Sequence, residues 1–355
     1  MTVRQLSRTS PAEAPEPRTG LVTIVVPVLN GARHVRESLE SILGQTYPAL
    51  EVIVMDDGST DGTAQIVEAY EGVRLVRHER PLGIYANANA GIELAAGEFV
   101  GVFHADDLYL PNMVERQVDY LQRHAAVGAV FASDVFIDSE GRELGRLELP
   151  RELRGSEPMS YDVVLNRLLT HKNCFLRCPS ALVRSAVYRD VGLYDQERFK
   201  NTSDLDMWLR IARRYELAVL EAHLFKYRRG HGSSSERYHR LRTEQERFFT
   251  IMDLELRGHG GEVATPVALA AYEAHRAEDT IMRALAYYTL GDRRAARRLL
   301  TKGSVRVIAK SSAVSRPRLV ALLLALRFLT LVPRSAVVAR AFERRWFPRP
   351  PAETA

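Results

Sequence analysis

Between Leu21 and Phe103 short apolar runs alternate with segments of helical spacing, and this alternation limits the chain to few folds. Leu21–Val28 (LVTIVVPV), Glu51–Met55 (EVIVM), Val73–Arg77 and Glu98–Phe103 (EFVGVF) read as strands. Apolar runs without polar alternation belong to strands covered on both faces. Between them, Ala32–Leu43 places Val35, Leu39 and Leu43 at helical spacing. Thr63–Tyr70 follows a Ser/Thr/Asp-rich turn, and Ile84–Ala96, rich in Ala and Asn, stops at Gly97. Strands separated by helices require right-handed crossovers, so the expected fold is α/β, Rossmann-like, with a mostly parallel sheet flanked by helices. Ligands of such sheets bind beyond the carboxyl ends of the strands.

The rest of the chain is more mixed. Gly128–Ile137 reads as a strand, Tyr161–Leu169 as a helix, Pro179–Arg184 as a strand or turn, and Asp204–Tyr215 as a helix. From Arg237 onward the pattern is nearly all helical, a C-terminal helical extension in which Thr280–Leu290 and Arg293–Leu300 form a hairpin around Gly291-Asp292. The first 20 residues are polar, carry Pro11, Pro15 and Pro17, and lack the apolar core of a signal peptide, so they read as a disordered leader. Two cysteines, Cys174 and Cys178, cannot build a disulfide framework and suit a reducing compartment.

The net charge of +5 hides an asymmetry. Fifteen of the 49 basic residues and one of the 44 acids lie between Arg293 and Arg349, which leaves the remainder at −9. A weakly acidic body excludes a nucleic-acid partner, whereas a basic tail suits an anionic surface. The longest apolar run, Leu319–Leu326, stops at Val332 even when extended past Arg327, short of the ~18–20 residues of a bilayer span.

Polar groups gather where the strands end. The first strand leads into Leu29-Asn30-Gly31, the second into Asp56-Asp57-Gly58-Ser59-Thr60-Asp61, and the fourth into His104-Ala105-Asp106-Asp107. Ser59 to Thr63 reads as a turn and helix cap. Two adjacent carboxylates after each of two buried strands are a different matter, because crowded carboxylates repel unless a cation or donors sit among them. Oxygen ligands suit Mg²⁺ or Mn²⁺ shared with a diphosphate. Neither Gly-x-Gly-x-x-Gly nor Gly-x-x-x-x-Gly-Lys-Ser/Thr occurs, so a glycine cradle for phosphate is not expected.

The segment VTIVVPVLNGARHVRESLESILGQTYPALEVIVMDDGSTDGT resembles the opening of a family 2 glycosyltransferase of the GT-A fold. The resemblance continues through Gly83, Asn89-Ala90-Gly91, Ala96-Gly97-Glu98 and HADDLYLP, and covers about Leu21 to Ser235. It implies that Pro27 and Asn30 lie near the nucleotide, that Asp56 or Asp57 binds the base, with Asp57 preferred, and that Asn89 borders the nucleotide pocket. Asp106 matches the metal-binding acid of the family's Asp-x-Asp motif, with His104 in place of the first acid and available to metal or ribose. NTSDLDMWLR (201–210) resembles Glu-Asp-x-Asp-x-Trp-x-x-Arg, with Ser203 replacing Glu. Asp204 then matches the catalytic base of inverting members, although a helix-capping carboxylate remains the alternative. Asp206, Trp208 and Arg210 orient that helix. Tyr227 to Ser235 resembles Tyr-Arg-x-His-x-x-Ser, which puts His231 at the metal or diphosphate and Arg228 against phosphate charge, in a segment polar enough for a lid.

The expected organisation is a leader (1–20), a GT-A domain (21–235, nucleotide half 21–125 and acceptor half 126–235), a helical extension (236–310) and a basic amphipathic tail (311–355). The resemblance implies transfer of a sugar, with inversion, from a nucleotide-diphosphate sugar to a glycan or lipid-linked acceptor in surface polysaccharide or glycoconjugate synthesis. Mn²⁺ or Mg²⁺ is the implied cofactor, and the site is cytoplasmic or at the inner face of the membrane. Two alternatives stay open: a nucleotidyltransferase, for which Asn30-Gly31-Ala32-Arg33 is a poor Gly-rich basic loop, and an inactive sugar-nucleotide- or polysaccharide-binding subunit. In the tail, Val338, Phe342 and Trp346 align on one helical face, with arginines on another. This suits either packing on the hairpin or an interfacial anchor on an anionic membrane through 318–349.

Overall fold

The four apolar runs form four parallel neighbours in the computed structural model, which describes residues 16–230, 241–302, 316–333 and 335–347. β1 (Arg18–Val28), β2 (Leu50–Asp56), β3 (Val73–Arg77) and β4 (Gly97–Val102) lie in the order β3-β2-β1-β4. Val25 of β1 stands between Ile53 of β2 and Val102 of β4. β1 begins at Arg18, within the stretch expected as leader, because Arg18 N–H reaches Ala96 O and Gly20 N–H reaches Glu98 Oε2, both at 2.8 Å.

Connecting helices cover both sheet faces. α1 (Val35–Leu43) buries Val35, Leu39 and Ile42 in a core shared with Ile24, Val26, Val52 and Val54. Full burial of such a side chain contributes about 1.5–3 kcal/mol. α2 (Thr63–Glu68) joins that core through Val67. α3 (Ile84–Leu94) packs on the other face, where Gly91 lies against Val25 and Met55.

The sheet continues past β4 through β8 (Leu182–Arg184), β6 (Val127–Ile137), β9 (Glu216–Arg228) and β5 (Leu108–Tyr109), with β7 (Glu143–Arg146) on β6. β8 is antiparallel to β4 and β6, and β9 is parallel to β6. The carboxyl ends of β1, β2, β4, β6 and β9 therefore share one edge. β9 has no counterpart among the expected strands, because Glu221, His223 and Lys226 break its apolar pattern. Helices α4 (Met113–Arg123), α5 (Tyr161–His171), α6 (Ser185–Val191), α7 (Gln196–Phe199) and α8 (Ser203–Ala212) complete this part of the chain.

The residues divide into two units, one containing the chain to Val164 with Asn173–Arg229, the other Leu165–Lys172 with the chain from Gly230. The second unit is helical: Arg247–Arg257, Gly260–Val263, Pro266–Leu290, Arg293–Lys302, Arg316–Leu329 and Ala336–Trp346. Its longest helix opens with Thr265 as cap and Pro266 at its first position, and closes on Gly291 at φ +101°, which forms the expected hairpin corner. Leu285, Tyr288, Ala296, Leu300, Leu323 and Leu326 form its core. The stripe Val338, Phe342 and Trp346 packs against that core, with the Phe342 ring 6.2 Å from Tyr288. Among the described residues no helix is long and apolar enough to cross a membrane.

Candidate functional site

The loops after β1 and β2 are tied together. Asn30 takes φ +53°, a left-handed conformation that Asn tolerates better than most residues. Its N–H donates to Ser59 Oγ at 2.8 Å, and its Oδ1 accepts Thr60 N–H at 2.9 Å. The Gly31 and Ala32 amides donate to Thr63 Oγ1 and Asp61 Oδ2, so α1 begins only at Val35. Pro27, opposite Met55, is buried in β1.

The two acids after β2 have separate tasks. Asp56 is fully buried, accepts Ser59 N–H at 2.8 Å and pairs with Arg77 at 3.2 Å. Asp57 accepts the Leu82 and Gly83 amides at 2.7 and 2.9 Å, one on each carboxylate oxygen. Both carboxylates thus shape the loops at the sheet edge. Asn89 holds Tyr194 in both directions, donating to its carbonyl at 2.8 Å and accepting its N–H at 3.0 Å. Its amide fixes the 193–195 turn to α3.

At the end of β4, His104, Asp106 and Asp107 bring a ligand atom each within 4.8 Å of one another. Asp107 is fully buried, and its Oδ1 accepts the Arg228 N–H at 2.8 Å. Its Oδ2 has no hydrogen-bond partner among the described residues, and His104 Nδ1 lies 3.7 Å away. Burial, reinforced by Asp106, pushes the Asp107 carboxyl well above the usual range. Burial lowers the His104 pKa against the pull of Asp106, which leaves a neutral imidazole with a free lone pair at neutral pH. A buried carboxylate oxygen without a donor, beside an imidazole and a second carboxylate, fits a hard divalent cation such as Mn²⁺ or Mg²⁺. His231, the other expected ligand, lies outside the described residues.

Arg228 differs most from its expected place. It is 2% exposed, and its guanidinium donates to Asp106 O (2.8 Å), Ser139 O (3.0 Å) and Glu37 Oε2 (2.8 Å). The side chain braces the Asp106-Asp107 turn from behind. Two further cations lie beside β6 and Tyr227, and the motifs assigned a role to neither. Arg177 pairs with the fully buried Asp134 of β6 at 2.8 Å and lies over Tyr227, 5.1 Å from the ring centre. Arg229 stacks on Phe136 at 3.6 Å. A lone acid in the apolar run GAVFASDVFI was the one available signal, since a buried carboxylate needs a cation.

Asp204 opens α8. Burial raises its pKa to about 6, against the Leu205 amide, the Tyr85 hydroxyl bond and the charge of Arg177. Tyr85 comes from the start of α3, so two elements frame this carboxylate. Ser203 is fully buried and donates to Asp195 O at 3.0 Å. Asp206 pairs with Arg210 at 2.8 Å, and Arg210 holds the Leu193 carbonyl at 2.7 Å, so both orient α8 as expected. Trp208 is wholly buried, edge-on to Phe131. Cys178 is buried and Cys174 half-buried, both unpaired as disulfides.

Known proteins resemble this chain in sequence and in fold. Residues 23–192 match the family model for glycosyl transferase family 2. Over these residues the chain is similar to family 2 glycosyltransferases. An uncharacterized glycosyltransferase of Rickettsia typhi is 32% identical over 54% of this chain and 59% of its own length. Glycosyltransferase GlyG of Streptococcus pneumoniae is 26% identical over 60% of this chain and 72% of its own. The chain thus spans less than two thirds of the Rickettsia relative. Among solved structures, S. aureus TarS 1-349 in complex with UDP superposes with a TM-score of 0.57 at 18% identity, covering 91% of each chain. The chain therefore has the GT-A fold: a mixed α/β structure with a mostly parallel sheet flanked by helices, together with C-terminal helices.

Proposed function

We propose that this chain transfers a sugar from a nucleotide-diphosphate sugar to a hydroxyl of a glycan or lipid-linked acceptor, with inversion, in the assembly of surface polysaccharide or glycoconjugate. The observation that carries the reading is the His104, Asp106 and Asp107 cluster at the end of β4, within a family 2 domain. It lies on the sheet edge where α/β ligands bind. The TarS fragments that share the fold were solved with UDP and with UDP-GlcNAc, which supports a nucleotide-sugar donor.

In this reading the nucleotide lies over the loops held by Asn30, Asp56 and Asp57, beside Pro27 and the start of α3. Asp106, Asp107 and His104 would hold a divalent cation, and Arg228 keeps that turn in place. When bound, the cation offsets charge on the leaving diphosphate. Asp204 accepts the proton of the acceptor hydroxyl, whose oxygen attacks the anomeric carbon on the face opposite the diphosphate. One displacement gives inversion. A base of pKa about 6 is largely ionised at pH 7 and still takes up a proton well.

Thermal melting with nucleoside diphosphates tests the donor site. The melting temperature should rise with a nucleoside diphosphate plus Mn²⁺ or Mg²⁺, and Asp106→Ala should abolish the metal-dependent part. Absence of any shift across the common bases would count against the reading. A shift in a protein that never turns over a sugar nucleotide would favour the inactive binding subunit.

A further inference from the structure

Two features at the end of the helical unit lie outside the residues assigned above to sugar transfer. The first is that the helix Arg316–Leu329 is apolar on two faces. Leu319, Leu322, Leu323 and Leu326 are buried in the unit's core. Leu324, Phe328 and Leu331, spaced by four and three, remain 54%, 63% and 61% exposed. A helix packed on one side ordinarily presents polar residues on the other, and a contiguous exposed apolar stripe marks an interaction surface.

The second is an open cavity of about 710 Å³ at the hairpin corner, lined by Arg293, Arg294 and Arg297 together with Leu290, Asp292 and Thr330. The arginines occupy the first turns of the helix Arg293–Lys302, whose own partial positive charge disfavours cations there. Asp292 is the one acid of the lining, and its carboxylate already accepts Ala295 N–H at 2.8 Å. Arg293 Nη2 donates to Thr330 O at 3.1 Å, while its buried Nε has no hydrogen-bond partner among the described residues. Thr330 directly precedes Leu331, and Leu290 on the lining is 59% exposed. The cationic cavity and the apolar stripe thus meet at the end of one helix.

We propose that this surface binds an anionic phospholipid bilayer. A headgroup phosphate occupies the cavity against Arg293, Arg294 and Arg297, while Leu290, Phe328 and Leu331 enter the boundary between headgroups and acyl chains. Charge selects this occupant over a second copy of the chain: an isologous contact would bring two arginine sets together with one acid each to offset them. The apolar side chains involved are not Val338, Phe342 and Trp346, which pack on the core.

The test is flotation of the full chain with phosphatidylcholine vesicles, with and without phosphatidylglycerol, at low and high salt. Binding should require phosphatidylglycerol and weaken with salt. Arg294→Gln with Arg297→Gln should lower partitioning about thirtyfold, as expected for two basic residues at about 1 kcal/mol each. Phe328→Ser with Leu331→Ser should also release the protein, with an unchanged melting temperature because both side chains are on the surface. Wild-type-like binding by either double variant would overturn the proposal, as would no binding to anionic vesicles at low salt. Two other results also contradict it: a dimer lost in Phe328→Ser/Leu331→Ser without vesicle binding, and stabilisation by inorganic phosphate without vesicle binding.

Discussion

Asp57 and Asp204 are both acids at element ends, yet their surroundings set them to different work. Asp57 meets one amide on each oxygen and so holds the 82–83 loop. Asp204 lies where burial outweighs its donors, and its pKa of about 6 leaves it able to exchange a proton near neutral pH. Asp204→Asn should lower turnover roughly 10²–10⁴-fold while nucleotide binding, measured by calorimetry, stays intact. In the wild type, kcat/KM should rise with pH through about 6 and level off above it. The same shift sets a stability trend. A carboxyl whose folded pKa exceeds its unfolded value disfavours the folded state progressively as pH rises from about 4 through about 6. The melting temperature of Asp204→Asn relative to wild type should therefore be higher at pH 7.5 than at pH 4. If turnover survives while the variant is less stable at both pH values, the carboxylate is a helix cap. Arg228 is the structural counterpart. Arg228→Gln should cost about 2–3 kcal/mol in urea unfolding, because it removes charge-assisted bonds around a buried turn. An unchanged stability with a large rise in donor KM would instead place Arg228 against the phosphates.

α3 shows how one element carries several parts of the site. Its first residues bring Tyr85 to Asp204 and receive the loop held by Asp57. Its middle fixes the turn before α7 through Asn89. All of this depends on close approach to the sheet, which Gly91 permits. A Cβ there would stand 2.4 Å from Val25 Cγ1 and 2.9 Å from Met55 Cγ. Gly91→Ala should therefore destabilise by about 1–3 kcal/mol, although alanine favours an isolated helix. It should also weaken nucleotide binding, since α3 moves away from β1 and β2. A variant as stable as wild type, with unchanged binding, would show that the helix position is not critical.

Across the whole molecule, what the sequence made legible was local. The runs LVTIVVPV, EVIVM and EFVGVF name buried strands without help from distant residues, and the acids that follow them necessarily fall on one sheet edge. Side-chain partnerships across long separations were not legible. Arg228 meets Glu37 across 191 positions, and no motif announces that a conspicuous arginine faces inward. Arg177 and Asp134 likewise meet only because β6 is placed beside the 173–181 segment. The tail shows the same limit, since periodicity marks apolar positions on two helices but not which of them the core covers. The central claim, catalysis of sugar transfer, is tested most directly by nucleoside diphosphate release from a panel of sugar nucleotides with Mn²⁺ or Mg²⁺. Wild type, Asp106→Ala and Asp204→Asn should be run side by side. The account predicts turnover of at least one donor by wild type, with both variants slower by about a hundredfold or more. No turnover of any donor, or variants as fast as wild type, would contradict it.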